Sequence, residues 1–191
     1  YANYQNGSLY YSGRTGVQLV RGQVRTLWRS TGAETGPLGF PNADVAATAD
    51  GTGLQGRFQR GSIWWTQATG SRALLGPIEG LWRSTGAERG PLRYPTQSVS
   101  NAADGSGQYA HFQGGSIYWS TPTGARALLG PVLTLWNSTG GTAGPLGYPT
   151  TSVSTAPDGQ GRYAEFEHGS VYWSQGTGAK ALLGPVENLW K

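Results

Sequence analysis

The hexapeptide Gly36-Pro37-Leu38-Gly39-Phe40-Pro41 recurs along the chain at a constant interval, and this recurrence sets the architecture. It returns at residues 90–95 and 144–149, so that Leu38, Leu92 and Leu146 follow one another in steps of 54 residues. Two further motifs keep the same step and occur four times. They are Gly-Ser followed by an apolar and two aromatic residues, at 7–11, 61–65, 115–119 and 169–173, and Leu-Trp, at 27–28, 81–82, 135–136 and 189–190. A constant period of this length indicates one supersecondary unit used several times.

The repeat predicts a single domain over residues 1–191, because one unit cannot bury its own apolar face. Tyr1 aligns with Tyr109 and Tyr163, so the chain begins inside a unit. The prediction is four hairpin-helix blocks joined by three connectors. The blocks are 1–28, 55–82, 109–136 and 163–190, and the connectors are 29–54, 83–108 and 137–162.

Within a block, turn dipeptides leave room for short elements only. Residues 62–66 and 72–75 are rich in apolar and aromatic side chains and predict two strands. Residues 77–84 place apolar side chains at i, i+3 and i+4 after a Pro, which predicts a helix there, at 131–138 and from 185 onward. The predicted fold class is mainly β with short helices (α+β). The repeats would form a pseudo-symmetric array, propeller-like or a closed ring of short β-hairpin blades, which protects strand edges.

Composition excludes several classes of protein. The chain of 191 residues has a net charge of +4 with its basic residues scattered, whereas nucleic-acid binding needs a concentrated basic face. No apolar run approaches the roughly 18 residues that span a bilayer, so we expect no membrane insertion. Cys and Met are absent, which excludes disulfides and indicates a processed form or a piece of a longer chain. The low surface charge favours a secreted protein.

Catalytic groups are scarce. The two histidines, His111 and His168, are not repeated, and no nucleophile elbow occurs. No second acid repeats throughout, because Thr142 stands where the other copies have Glu34 and Glu88. We therefore predict that the chain is not an enzyme and needs no metal and no cofactor. A hydrolase with one site built from unique residues stays open as an alternative.

The repeated polar residues are candidates for ligand binding. Asp50, Asp104 and Asp158 are each followed by Gly, which favours a turn, although a carboxylate there can also accept hydrogen bonds from ligand hydroxyls. Arg72, Arg126 and Lys180 share another repeat position and belong either to a solvated strand face or to contacts with an anionic or polyhydroxyl ligand.

The aromatic residues fall at fixed positions. The helix tryptophans beside Leu, and the face that carries Ile63 and Trp65, are the more apolar and predict the core. The opposite face then carries a second aromatic ring in every block, at Tyr10, Trp64, Tyr118 and Tyr172. These rings would either stack on sugars or pack between blades.

These motifs resemble the LGFP repeat family over the entire chain. The residues that carry the resemblance are the Leu-Gly-Phe-Pro of 38–41, the preceding Gly-Pro, the following Asp-Gly and the later Gly-Ser-Ile-x-Trp. Departures are small: Arg93 replaces Gly, and Tyr94 and Tyr148 replace Phe. The resemblance implies a secreted actinobacterial module that anchors a catalytic domain, such as one linked upstream, to the cell wall.

The expected function is thus a non-catalytic, multivalent cell-wall or glycan-binding module. Its expected partner is a cell-wall polysaccharide, arabinogalactan or peptidoglycan, and its expected location is secreted, at the cell wall. A secreted protein-protein interaction scaffold or inhibitor is the alternative from a different class, because exposed aromatic rings also serve as interface hot spots.

Overall fold

The computed structural model describes residues 1–157 and 159–184, and it is mainly β with short helices. The described strands form four antiparallel sheets, one in each repeat. Sheet A contains β1 (Ala2–Tyr4), β2 (Gly7–Ser12) and β3 (Gly16–Arg21); sheet B contains β4 (Ala46–Ala47), β5 (Gly53–Phe58), β6 (Gly61–Thr66) and β7 (Gly70–Leu75). Sheet C contains β8 (Ser100–Asn101), β9 (Gly107–Phe112), β10 (Gly115–Ser120) and β11 (Gly124–Leu129); sheet D contains β12 (Ser154–Thr155), β13 (Gly161–Phe166), β14 (Gly169–Ser174) and β15 (Gly178–Leu183).

Each described helix follows directly on the last strand of its sheet. These helices are α1 (Gly22–Ser30), α2 (Gly76–Ser84) and α3 (Gly130–Ser138). In α2 and α3 a Pro occupies the first turn, where its missing N–H costs no hydrogen bond. A glycine in the left-handed conformation then reverses the chain into a one-turn 3-10 helix, at Ala33–Thr35, Ala87–Arg89 and Gly141–Ala143.

The predicted hairpin and helix are confirmed, but the blocks are larger than hairpins. Residues 62–66 and 72–75 lie in β6 and β7, and 77–84 lie in α2. The strand β5 was not predicted, because Gly53, Gly56 and Arg57 interrupt any alternation of apolar and polar residues. The two-residue strand β4 was not predicted either. Each repeat thus contributes an antiparallel sheet rather than a two-stranded blade, while the ring or propeller-like arrangement stays a prediction.

The chain divides into two compact units, Tyr1–Val99 and Ser100–Lys191. In the first unit, α1 lies between its own sheet and the next one, since it contacts β2 and β3 as well as β6 and β7. The core around it consists of Tyr10, Val20, Val24, Trp28, Leu38, Val45, Phe58, Ile63 and Ala73. Both faces of sheet B are covered in this way, one by α1 and the other by Trp82 of α2, which contacts Trp64.

The second unit repeats this packing with α3, which contacts β10 and β11 of sheet C and β14 and β15 of sheet D. Trp28, Trp82 and Trp136 are fully buried, so the predicted core role of the helix tryptophans is confirmed for them. Trp190, Asp158 and the helix predicted from residue 185 onward lie outside the described residues. No helix in the described ranges is long and apolar enough to cross a membrane.

Candidate functional site

The four rings predicted to stack on sugars are largely inside the protein. Trp64 is 2% exposed, Tyr10 and Tyr118 are also buried, and Tyr172 is half-buried. The expected exposure is therefore wrong for the first three rings. Its physical reason is that each packs edge-on against the helix tryptophan of its own block, for example Trp64 against Trp82 with ring centroids 4.7 Å apart.

A tyrosine stacks on three of these four rings. Tyr1 stacks on Tyr10, Tyr109 on Tyr118 and Tyr163 on Tyr172, with centroids 5.2, 5.9 and 5.5 Å apart. Burial raises the pKa of Tyr118 to about 12, so its hydroxyl stays protonated at neutral pH. These outer tyrosines, of which Tyr1 is exposed and Tyr109 and Tyr163 are half-buried, were not predicted as site residues, although their shared repeat position was a usable signal.

A polar network beneath Trp64 adds to its burial. The Ser62 hydroxyl donates to Glu79 Oε1 at 2.6 Å and accepts from Trp64 Nε1 at 2.7 Å. Arg83 pairs with the same Glu79 oxygen at 2.8 Å and lies over the Trp64 ring, 5.6 Å from its centroid. Trp64 is thus held by the helix of its block, with no face free for a sugar.

The face assigned to the core from sequence is buried only in part. Ile63 and its counterparts Ile117 and Val171 are fully buried, as expected. Trp65, Trp119 and Trp173 are half-buried, and Tyr11 at the same position is 67% exposed. The expectation of a core residue is therefore wrong for Tyr11, because no described helix covers that face of sheet A.

The repeated cations lie directly across a strand pair from the repeated aromatic rings. Trp64 faces Arg72, Tyr118 faces Arg126, and Tyr172 faces Lys180. Arg72 Nε donates to the Thr96 carbonyl at 2.6 Å, so this side chain ties the connector to its sheet. Arg126 is half-buried and Lys180 exposed. A ligand-binding role for these cations stays a prediction.

The repeated Asp-Gly pairs form turns that are bound to the next connector. Asp50 Oδ1 accepts from the Thr52 N–H at 3.0 Å, and Gly51 takes a φ of 75°. The same oxygen accepts from the hydroxyls of Thr48 at 2.8 Å and Tyr94 at 2.6 Å, the latter 44 residues along the chain. The turn interpretation is confirmed for Asp50. Asp158 lies outside the described residues.

Asp104 repeats this arrangement in the second unit. Its Oδ1 accepts from the Ser106 N–H at 3.0 Å and from the Tyr148 hydroxyl at 2.9 Å. Burial opposes ionisation of Asp104 and of Asp50, but the hydrogen bonds outweigh it and lower the pKa of both carboxyls. Both side chains are therefore anionic at neutral pH.

Tyr94→Phe should destabilise the protein by about 1–3 kcal/mol at neutral pH, since it removes the hydrogen bond that the hydroxyl donates to the Asp50 carboxylate. Because folding lowers the Asp50 pKa, the carboxylate's stabilisation is fully present above its unfolded pKa of about 4 and is lost as pH falls below it. The difference from the parent should stay constant until pH falls towards the pKa of Asp50 in the folded variant, which lies between the lowered parent value and the unfolded value, and should shrink below it. Chemical denaturation over a pH series measures it.

Tyr11→Phe is the matched control, because it removes the hydroxyl of a tyrosine that is 67% exposed. We expect its unfolding free energy to stay within about 0.5 kcal/mol of the parent. A Tyr94→Phe variant as stable as the parent at neutral pH would contradict the stabilising hydrogen bond to the Asp50 carboxylate.

A polar cleft of about 280 Å³ opens beside the Asp104 turn. It is called the Asp104 cleft here, and its polar lining includes Asp104, Ser106, Thr142, Tyr148, Glu167 and His168. Glu167 Oε2 accepts from the Tyr148 N–H at 2.8 Å, which fixes the second carboxylate. Carboxylates, hydroxyls and an imidazole together supply donors and acceptors suited to a hydroxyl-rich ligand.

Beside the Asp50 turn, the equivalent position in the first unit, different side chains border the opening, which is called the mouth here. Glu88, at the repeat position of Thr142, accepts from the Ala49 N–H at 3.3 Å, and Arg89 donates to the Ala49 carbonyl. This pair spans the gap between the 3-10 helix and the Asp50 turn. In the second unit Thr142 and Ala143 replace it with short side chains, so the cleft lies open there.

The comparisons with known proteins agree with the repeat read from the sequence. The family model described as LGFP repeat matches the chain four times, over residues 1–36, 38–90, 92–144 and 146–191. No curated protein matches it. Because the four matches cover nearly every residue, the chain belongs to the LGFP repeat family.

Proposed function

We propose that the chain is a non-catalytic module that binds a polysaccharide of the cell wall, arabinogalactan or peptidoglycan, through the Asp104 cleft. The protein would be secreted and would anchor an associated catalytic domain to the wall. The observation that carries the proposal is the open cleft itself, with two fixed carboxylates and several hydroxyls. Such groups accept and donate the hydrogen bonds that replace the hydration of sugar hydroxyls.

The repeated turns would allow a second, weaker contact, because the Glu88 and Arg89 pair spans the mouth at Asp50. The Asp-Gly turn with its tyrosine occurs at Asp50 and Tyr94 as well as at Asp104 and Tyr148. Weak sites on one chain that engage one polymer gain from their effective concentration. A polymer therefore suits this module better than a free monosaccharide.

The test is retention of the purified protein on insoluble cell wall before and after removal of arabinogalactan. We expect retention on intact wall and its loss after the treatment. The double variant Thr142→Glu, Ala143→Arg imports the Glu88 and Arg89 pair that spans the equivalent mouth in the first unit. It should lower retention about tenfold, which corresponds to about 1.4 kcal/mol.

Thr142→Ser is the matched control, since it keeps a short hydroxyl side chain at the mouth and should bind as the parent does. Retention that survives arabinogalactan removal would assign the ligand to peptidoglycan instead. Equal retention of the double variant and the parent would remove the Asp104 cleft from the proposal, and no retention of the parent would end it.

A hydrolase is the second candidate, because His168 lies in the same cleft as Asp104 and Glu167. Glycosidases commonly use two carboxylates beside one bond. His111, the other histidine, is bound through Nδ1 to the Ser116 hydroxyl at 2.7 Å. Release of soluble sugar from wall by the parent, lost in His168→Ala, would favour this candidate over a binding module.

A further inference from the structure

Three arginines from different parts of the first unit meet around a second cleft, of about 380 Å³. It is called the arginine cleft here, and its polar lining includes Arg57, Arg60, Arg83, Glu79, Asn42 and Gln59. Arg57 lies on β5, Arg60 in the turn between β5 and β6, and Arg83 on α2. The basic residues are scattered along the sequence, so the fold creates this concentration of positive charge.

Arg57 lies on the side of sheet B that faces α2. It pairs directly across the strands with Ser62, so the two side chains share one face of the sheet. The Ser62 hydroxyl on that face donates to Glu79 Oε1 of α2. Arg57 is exposed, and no carboxylate in the described ranges lies within salt-bridge distance of it. Its charge is therefore available to a ligand.

Carbonyl groups of the first connector hold Arg60 in place. Its Nε donates to the Pro37 carbonyl at 2.8 Å, and its Nη2 donates to the Gly36 carbonyl at 2.6 Å. A guanidinium carries further N–H groups that these two bonds do not use. Since the carbonyls are neutral, they leave the positive charge of Arg60 uncompensated. Arg60 is thus fixed at the arginine cleft and can still donate to a bound anion.

The carboxylate in the lining of the arginine cleft already has its partners. Glu79 Oε1 accepts from the Ser62 hydroxyl at 2.6 Å and pairs with Arg83 at 2.8 Å. The Glu79 side chain is 12% exposed, whereas that of Arg83 is 35% exposed. This ion pair balances one negative and one positive charge. Arg57 and Arg60 therefore leave the arginine cleft with an excess of positive charge.

The repeat forms the same elements in the second unit without these arginines. Their counterparts there are His111, Gly114 and Asn137, and Leu133 stands at the position of Glu79. Burial lowers the pKa of His111, which favours the neutral ring at neutral pH. Sheet C and α3 nevertheless have the same element lengths as sheet B and α2. Because the fold does not need the three cations, a bound ligand explains their convergence better.

We propose that the arginine cleft is a binding site for an oxyanion, a phosphate or carboxylate group. The forked N–H groups of a guanidinium match two oxygens of such a group, and hydrogen bonds between charged partners are stronger than neutral ones. Gly76, the first residue of α2, also lines the cleft, and the positive end of the helix dipole favours an anion there. The site does not rest on the proposed function, because the Asp104 cleft lies in the second unit and presents carboxylates instead.

NMR titration of the isotope-labelled chain with inorganic phosphate, and in parallel with acetate, tests the site at neutral pH and constant ionic strength. The signals of residues 57–61 and 76–83 should shift and saturate with at least one of the two anions. Tighter binding of phosphate would assign a phosphate group as the ligand, and tighter binding of acetate would assign a carboxylate. Shifts that fail to saturate with either anion would overturn the proposal.

Arg57→Gln should raise the dissociation constant of the bound anion at least about tenfold, as expected for the loss of a hydrogen bond between charged partners. Arg57→Lys keeps the positive charge without the fork and should raise the dissociation constant less, by about threefold. Because Arg57 is exposed, both variants should keep the parent's circular dichroism spectrum.

Arg14→Gln is the matched control, because it removes the same charge from an exposed residue in the turn between β2 and β3. It should bind the anion as the parent does. The double variant Thr142→Glu, Ala143→Arg should also bind as the parent does, which separates this site from the Asp104 cleft. Equal dissociation constants for Arg57→Gln and Arg14→Gln would indicate attraction to the net charge of the chain alone and would overturn the proposal.

Discussion

Trp28→Ala should lower the free energy of unfolding by about 3–5 kcal/mol, the range for large-to-small substitutions of a buried Trp. The Trp28 side chain is fully buried and contacts three parts of the first unit. It meets Tyr10 of its own sheet edge-on with centroids 4.6 Å apart and stacks on Phe58 of the next sheet. Its Nε1 donates to the Gly39 carbonyl at 3.1 Å. Chemical denaturation followed by far-UV circular dichroism measures the loss.

The loss should be large because the cavity cannot close easily. Trp28 bridges two sheets and a connector, so collapse at one contact would open a gap at another. Trp28→Phe keeps one aromatic ring and removes the N–H, and we expect a clearly smaller loss. Trp136→Ala should cause a similar loss of unfolding free energy. Trp136 Nε1 donates to the Gly147 carbonyl at 3.0 Å, and its ring packs edge-on against Tyr118 with centroids 4.5 Å apart. A loss below about 1 kcal/mol at Trp28 would refute its bridging role.

Gly90→Ala is the second substitution with a large expected effect. A methyl group there would lie 2.1 Å from the Thr85 carbonyl oxygen and 3.2 Å from the Gly86 carbonyl carbon. Both are backbone atoms, which cannot swing aside as a side chain does. The φ of Gly90 is −77°, so the obstacle is contact rather than conformational preference. We expect a loss of about 1–3 kcal/mol or more in the free energy of unfolding.

The effect should recur wherever the Gly-Pro motif recurs. At Gly36 and Gly144 the added methyl would lie 2.1 and 2.2 Å from the carbonyl oxygens of Thr31 and Thr139. Gly13→Ala is the control, because nothing lies within 4 Å of a methyl group at Gly13. Thermal unfolding of the parent and these variants measures the effect. Equal melting temperatures for Gly90→Ala and Gly13→Ala would show that the turn shifts at no cost.

The repeat, the helices and two strands of each sheet follow from the sequence because their signals are local. A Pro at the first turn and apolar residues at i, i+3 and i+4 place α2, and turn dipeptides bracket β6 and β7. The full burial of Trp82 follows from the same spacing. The strand β5 could not be predicted, since its glycines are selected by close contacts elsewhere in the fold. A methyl group at Gly56, for instance, would lie 2.5 Å from Val24 Cγ1.

The candidate site could be predicted only in its parts. Repetition singled out Asp50 and Asp104 and their turns. That the Tyr94 hydroxyl would bind Asp50 could not be foreseen, because 44 residues separate the two and the contact depends on how the connector returns to the turn. The open mouth of the Asp104 cleft likewise depends on Thr142 facing that turn across the fold.

The sequence by itself determined the period of the chain, two strands and the helix of each repeat, and the burial of the helix tryptophans, because these depend on residues a few positions apart. Only the tertiary structure decided which ring of each aromatic pair is buried. Helices cover both sides of sheet B. The alternation of side chains along β6 therefore does not show which side faces solvent. Trp64 meets Trp82 and becomes buried, while Tyr11 meets no described helix and stays exposed.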